Sequence, residues 1–277
     1  ISAGEVIKNV HGRKSGAVAA FVNGEERDMS FALNENCKVE PILGDSEEGL
    51  YILRHSCAHL LAQAVTQLYP DAKPTIGPPI EHGFYYDFAM HPIGDEELRQ
   101  IEKRMKELVK QNIPIEREEL DNESLRDIFS SNPFKLEIMD EKIGHDVGSS
   151  AYRQGDFIDL CKGPHVALTS QLRWFKLTST SQAYWRADKD RGSLVRIYGM
   201  CYPSKDGLKE RERQIQEAAR RDHKKIGKEM GLYMINELIG KGLPVWLPYG
   251  EVLKSEIENF AIETEEAYGY DRVTTPV

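Results

Sequence analysis

Short alternating runs open this chain and then give way to helical periods. Ala17–Val22 is apolar and is followed by Asn23-Gly24, the dipeptide favoured in tight hairpins, so Glu25–Met29 is expected as the return strand. Cys37–Leu43 reads as another strand, closed by Pro41. Residues 1–44 therefore predict a small β-rich unit that lacks its first strand, with Gly44–Gly49 as a polar linker. From Leu50 to Tyr69 the period becomes helical, with Leu53, Leu60, Leu61, Ala64, Val65 and Leu68 on one stripe and Pro70 as the stop. Ile80–Phe88 is an aromatic strand. A helix capped by Asp95 carries Leu98, Ile101, Met105, Leu108 and Val109 inward and stops before Pro114, and Asp121 caps a shorter helix reaching Phe129. Phe157–Cys161 is expected as a strand with Asp159 and Cys161 on one face and Ile158 and Leu160 on the other. Gly163-Pro164 turns the chain, and Leu194–Tyr198 is a further strand. Residues 206–230 are charged and helical, with a basic face from Lys209 to Lys228. A last helix, Glu251–Ala267, puts Leu253, Ile257, Phe260 and Ala261 on one side, ends at Gly269, and leads to a strand toward Pro276.

The 277 residues suffice for about two domains, and 40% apolar with 29% charged residues is ordinary for a globular chain with a real core. The apolar runs are too short to cross a bilayer. The chain begins Ile1-Ser2-Ala3-Gly4, with no initiator Met and no apolar leader, and is expected to be a piece of a longer protein in the cytoplasm. Four dispersed cysteines do not form a disulfide framework and suit a reducing compartment. A net charge of −9 argues against indiscriminate binding of polyanions, although the basic helix could contact RNA.

The candidate chemistry lies in two segments a hundred residues apart. His55 and His59 sit at i and i+4 on the long helix, on one face. Cys161 and His165 flank the Gly-Pro turn. These four side chains suit a tetrahedral zinc shell, and equally a wet hydrolytic pocket. Spacing does not separate the two. On residue type alone Tyr86, between Tyr85 and Asp87, reads as core more readily than as a flank for a sugar or base, Lys135 in Pro133-Phe134-Lys135-Leu136 is an edge or surface residue, and Trp185-Arg186 packs more readily than it stacks on a base. No Walker A, GxGxxG or GxSxG sequence is present.

Taken together, Leu53–Val65, Ile76–Asp87 and Asp159–His165 resemble threonyl-tRNA synthetases of the bacterial type. Ala183–Asp188 and Arg220–Gly227 match the same family in order and spacing. The resemblance covers essentially the whole chain. It implies an α+β architecture: a truncated TGS-like domain of β-grasp shape at 1–44, an editing domain at 45–205, a linker helix at 206–230, and the start of a class II catalytic domain with its motif 1 region at 231–277. It implies an ATP-dependent threonine–tRNA ligase, homodimeric at full length, whose editing site hydrolyses mischarged seryl-tRNA-Thr. A missing methyl is worth only about 1–3 kcal/mol of discrimination, so serine must be removed at a second site.

The family's editing residues correspond here to His55, His59, Tyr86, Lys135, Tyr152, Asp159, Cys161 and His165. By this resemblance His55 meets the terminal ribose, Lys135 orients ester and water, and Asp159 grips the ammonium. Cys161, His59 and His165 shape the pocket, and Tyr86 and Tyr152 bind substrate. Alanyl-type editing relatives bind zinc through the same set, whereas the threonyl type is expected to use water without a metal. The family's zinc, ATP and magnesium sites belong to class II sequence not included here, so the chain alone is not expected to aminoacylate. The rival reading is a structural zinc module that holds tRNA on its basic helix without chemistry. A metal-dependent hydrolase of another substrate is the third.

Overall fold

A computed structural model describes residues 1–12, 15–142, 150–240 and 242–274. They form an α+β chain in two compact units, Ile1–Lys209 and Glu210–Val277.

The first unit starts with a helix that the alternation missed, α1 (Ala3–His11). Its signal was present: Ser2 accepts from the Glu5 amide, and the Glu5 carboxylate accepts from the Ser2 amide, a reciprocal capping box. The helix packs on a three-stranded antiparallel sheet ordered β2–β1–β3, made of β1 (Ala17–Val22), β2 (Glu25–Arg27) and β3 (Val39–Leu43). The Asn23-Gly24 turn forms as expected. Pro41 lies inside β3 rather than closing it, opposite Ala20. This is tolerated because β3 is an edge strand.

The supposed polar linker is partly helix. Ser46 caps α2 (Glu47–Leu68) by accepting from the Gly49 amide, so Glu47–Gly49 form its first turn. This helix has no solvated stripe over most of its length. From Ile52 to Val65 every residue except His55 is buried, because sheet, helix and the N-terminal unit all pack around it. The aromatic strand splits into β5 (Pro79–Ile80) and β6 (Gly83–Ala89), after the short β4 (Lys73–Pro74). Next comes α3 (Asp95–Gln111), capped by Gly94 rather than Asp95. β7 (Ile115–Glu119) follows, and Asp121 caps α4 (Asn122–Ile128) as predicted. After α4 comes α5 (Pro133–Lys142).

β8 (Ser150–Gln154) and β9 (Phe157–Leu160) join β7 in a second three-stranded sheet, ordered β7–β8–β9. The alternation expected in the last of these holds, with Phe157 and Asp159 buried and Ile158 and Leu160 only half so. The remaining strands are β10 (Trp174–Tyr184) and β11 (Ser193–Tyr202). They complete a five-stranded antiparallel sheet ordered β10–β11–β6–β4, with β5 paired to β6. β10 escaped the sequence reading because its outward residues, Lys176, Thr178, Ser181 and Gln182, outnumber its buried Phe175 and Leu177. The core lies between this sheet and the helices α2 and α3, around Phe84, Tyr86, Phe88, Leu60, Leu61, Ile101 and Met105.

The charged stretch expected as one connecting helix is two. α6 (Lys205–Arg220) ends, and Asp222 starts α7 (His223–Glu229) by accepting from the amides of Lys224 and Lys225. In the second unit, β12 (Tyr233–Ile235) and β13 (Pro244–Trp246) pair antiparallel, and α8 (Pro248–Ala267) begins three residues earlier than expected, with Pro at its first turn. Leu253, Ile257 and Phe260 on α8 are exposed. The strand expected toward Pro276 ends outside the described residues, and residues 271–274 form no strand. Among the described residues, no helix is long and apolar enough to cross a membrane.

Candidate functional site

The predicted quartet converges. α2 brings His55 and His59 to the turn after β9, where Cys161 and His165 stand. One donor atom from each of the four lies within 4.8 Å of all the others. Cys161 Sγ is 3.2 Å from His55 Nε2 and 3.2 Å from His165 Nε2, and accepts from the Gly163 amide. The ring centroids of His55 and His165 are 4.5 Å apart, and those of His59 and His165 are 4.2 Å apart.

Burial sets the protonation of this cluster. It pushes His59 down to about 3 and His55 down to about 4, and holds His165 well below the usual imidazole value. All three rings are neutral at physiological pH. Burial also pushes the Cys161 thiol up to about 12, so the sulfur carries its proton.

Beside the quartet is a buried polar triad. Tyr86 Oη donates to Asp159 Oδ2 at 2.6 Å and accepts from Lys135 Nζ at 3.1 Å, while Lys135 pairs directly with Asp159 Oδ1. The Leu160 amide donates to the same Asp159 oxygen at 2.8 Å. Burial alone would raise the Asp159 carboxyl, but Lys135, His59 and the Tyr86 hydroxyl together hold it below its ordinary value. His59 Nε2 faces Asp159 Oδ2 across 3.7 Å, which joins the triad to the quartet.

One expectation from residue type is corrected here and another is extended. Lys135 is no surface residue: it is 3% exposed. Asn132 caps the start of α5 through the amides of Phe134 and Lys135, and is itself tied to the Pro74 carbonyl, so the first turn aims the Lys135 side chain inward. Tyr86 is indeed core, and its hydroxyl joins the buried polar triad. A Phe-Tyr strand discloses the burial and hides the polar tip.

Tyr152 stands apart from the triad. Its ring packs at 4.4 Å on His165, and its hydroxyl donates to Asp28 Oδ2 at 2.6 Å. Asp28, at the end of β2, accepts from the His165 amide through its other oxygen at 2.8 Å. Asp28 thus ties the N-terminal sheet to the turn bearing Cys161 and His165. Gly163 completes this corner: at φ +73 it takes a conformation that favours glycine, and a Cβ there would meet Tyr152 Oη at 1.9 Å.

Sequence reasoning missed Asp28 and Ser56. Ser56 Oγ lies 3.0 Å from His165 Nδ1 and accepts from the Val166 amide, fixing the ring. Its position between His55 and Cys57 was a signal. Asp28, 137 residues from His165, had none.

The donor set fits a metal. Tetrahedral zinc with bonds of about 2.0–2.3 Å needs donors roughly 3.3–3.6 Å apart, close to the 3.2 Å Cys161–His contacts. Neutral imidazoles offer free lone pairs, and His165 is already oriented by Ser56. Trp185 and Arg186 pack as expected, with Trp185 Nε1 donating to Glu137 and Arg186 stacked on the indole.

Residues 150–198, which include Tyr152, Asp159, Cys161 and His165, match the family described as the threonyl and alanyl tRNA synthetase second additional domain. The chain thus carries an editing-type domain of tRNA synthetases. It is 44% identical over 261 residues to a threonine–tRNA ligase of Rubrobacter xylanophilus, covering 94% of this chain and 40% of that protein. It is 45% identical over 267 residues to the enzyme of Staphylococcus epidermidis, covering 96% of this chain and 41% of that protein. The figures for the Streptococcus thermophilus enzyme are 43%, 262 residues, 94% and 40%. The chain is thus similar to bacterial threonine–tRNA ligases and spans about two fifths of the length of these relatives.

Proposed function

We propose that this chain is the editing part of a threonine–tRNA ligase and that its pocket hydrolyses seryl-tRNA-Thr. The observation that carries the reading is the convergence of three neutral histidines and a thiol beside a buried Tyr86–Asp159–Lys135 triad, with Asp159, Cys161 and His165 in a segment that matches a domain of tRNA synthetases. The longer protein would charge tRNA-Thr with threonine at the expense of ATP, as a homodimer, with its own zinc and magnesium in the class II catalytic domain. Residues 1–44 would be the TGS-like β-grasp remnant, 45–205 the editing domain, 206–230 the linker and 231–277 the start of the catalytic domain.

The reaction needs a water, an ester carbonyl and a leaving ribose oxygen. Water oxygen bonds to the carbonyl carbon, and its proton passes to a pocket base. The C–O bond to the ribose then breaks, and the ribose oxygen takes a proton back, leaving serine and free tRNA. His59 holds the water, His165, whose ring nitrogens meet Ser56 and Cys161, shapes the wall beside it, and Asp159 across from His59 stabilises the positive charge that develops on the His59 ring. His55 has a buried Nδ1 without a partner, a place for a ribose hydroxyl. The remaining lone-pair capacity of Asp159 takes the substrate ammonium, and Lys135 keeps that carboxylate ionised and orients the ester. Cys161 bounds the pocket between His55 and His165. Tyr152 supports His165, a positioning task rather than contact with substrate.

No step requires a metal. Were zinc held, His55, His59, Cys161 and His165 would be its ligands and it would supply a water acidified to neutral pH. Deacylation of purified seryl-tRNA-Thr is the test. Hydrolysis at least a hundredfold above the spontaneous rate, lost in His55→Ala and in Lys135→Met, supports the reading. Full activity in both variants, or none in the unaltered chain, refutes it.

A further inference from the structure

Resting on the hydrolytic reading above, we propose that Tyr51 is the stacking platform for the purine base of the terminal nucleotide whose ester enters the pocket. Tyr51, His55 and His59 occupy one face of α2, each one turn of about 5.4 Å beyond the last. They form a gradient of depth. His59 is 5% exposed, His55 is half-buried and Tyr51 is 53% exposed. Between Ile52 and Val65 the helix is otherwise closed to solvent, so beside the quartet this helix meets solvent at Tyr51 and His55. The Tyr51 ring stands edge-on to His55, with centroids 6.2 Å apart and planes at 86°. Its own face is therefore not taken up by that imidazole.

An aminoacyl nucleoside has three pieces in a row: the acyl group, the ribose and the base. The quartet receives the acyl group, and the unpartnered His55 Nδ1 awaits a hydroxyl. The next turn outward must meet the base. Glu47 and Glu48, both exposed in the first turn, repel phosphate from that rim. The base is the neutral, planar piece of the substrate, and a half-exposed tyrosine offers the surface it needs. Base–aromatic stacking is tolerant of sequence and needs no hydrogen-bond code.

The test uses two non-hydrolysable inhibitors of seryl-tRNA deacylation, an adenosine carrying a 3′-serylamide and the same serylamide on a ribose without base. Tyr51→Ala is expected to weaken inhibition by the adenosine compound about tenfold, with Tyr51→Phe and Tyr51→Trp restoring it. Inhibition by the compound without base is expected to be weak and the same in every variant. If Tyr51→Ala weakens both compounds alike, Tyr51 merely supports His55 and the stacking proposal is overturned. Equal inhibition of Tyr51→Ala and the unaltered chain by the adenosine compound also overturns it, and leaves the hydrolytic reading intact. A chain that neither hydrolyses seryl-tRNA nor binds either compound removes the hydrolytic reading, and this proposal with it.

Discussion

Replacing Lys135 by Met is the most searching perturbation of the site. Met keeps much of the aliphatic volume and deletes the charge. Lys135 and Asp159 are 3% and 2% exposed, so the carboxylate loses the charged partner of opposite sign in contact with it among the described residues, while water cannot replace it. Breaking a buried pair on one side costs about 3–5 kcal/mol. Asp159 still accepts from Tyr86 Oη and the Leu160 amide, which places the expected loss near 3 kcal/mol at pH 7.5.

The pH dependence has a definite sign. In the unaltered chain Asp159 is held below its ordinary value, so its contribution is present above about pH 3.9 and is lost as the pH falls through the native value. Without Lys135, burial dominates and the native carboxyl rises above the unfolded one. The penalty is then full at neutral pH and lifts on acidification as the carboxyl takes a proton. Urea unfolding at pH 7.5 and pH 5.0 measures this, followed by fluorescence of Trp174 and Trp185 in a Trp246→Phe background, which reports on the first unit alone. The gap between Lys135→Met and its parent should narrow at pH 5.0, and Lys135→Met/Asp159→Asn should recover most of the loss. A gap below about 0.5 kcal/mol, or one that is the same at both pH values, refutes the reasoning.

Asp28→Ala removes two hydrogen bonds to a carboxylate, each worth about 1.5–3 kcal/mol, and is expected to lower deacylation more than tenfold. Tyr152→Phe removes one of them and should fall between, while equal activity of all three proteins would show that the N-terminal tie is idle. His59, neutral in the fold and protonated when unfolded below about pH 6.5, should make stability fall by about 1.4 kcal/mol per pH unit between pH 6 and pH 4. His59→Asn should remove that increment from the slope of stability against pH. Deacylation is expected to survive dialysis against a strong chelator, whereas stoichiometric zinc by mass spectrometry, abolished with folding in Cys161→Ser, would overturn the metal-free mechanism. Gly163→Ala should damage the site despite its small size, because the new methyl meets Tyr152 Oη and the backbone is at positive φ. Thermal melts and deacylation rates should both register it.

What could be read from the chain follows from how local each signal is. His55 and His59 declare their shared face through helical spacing, and Asp159 declares its inward side through strand alternation. Asp121 marks a helix start by type and position, and the Asn23-Gly24 turn by composition. Each of these lies within one turn or one strand. The convergence of α2 with the β9 turn is not local: ligand-type residues in two segments suggested it, and family likeness strengthened it. Lys135 shows the opposite case. An isolated cation among apolar residues looks like a surface residue until its counter-ion, 24 positions on, is seen beside it. β10 failed the alternation test because its outer face is polar almost throughout. α1 was missed although Ser2 and Glu5 form a capping box, because the short apolar runs around them suggested strands.

The Asp28 tie makes the first forty residues a party to whatever the pocket binds. A carboxylate that holds His165 and Tyr152 gains or loses its grip according to how those two are held. A ligand that favours the tied arrangement must therefore strengthen the seating of the N-terminal sheet, and by thermodynamic reciprocity a loosened sheet must weaken that ligand by the same factor. The small sheet is then a remote reporter of pocket occupancy. Protection of the β1 and β2 amides against hydrogen exchange would register a substrate analogue that never touches them.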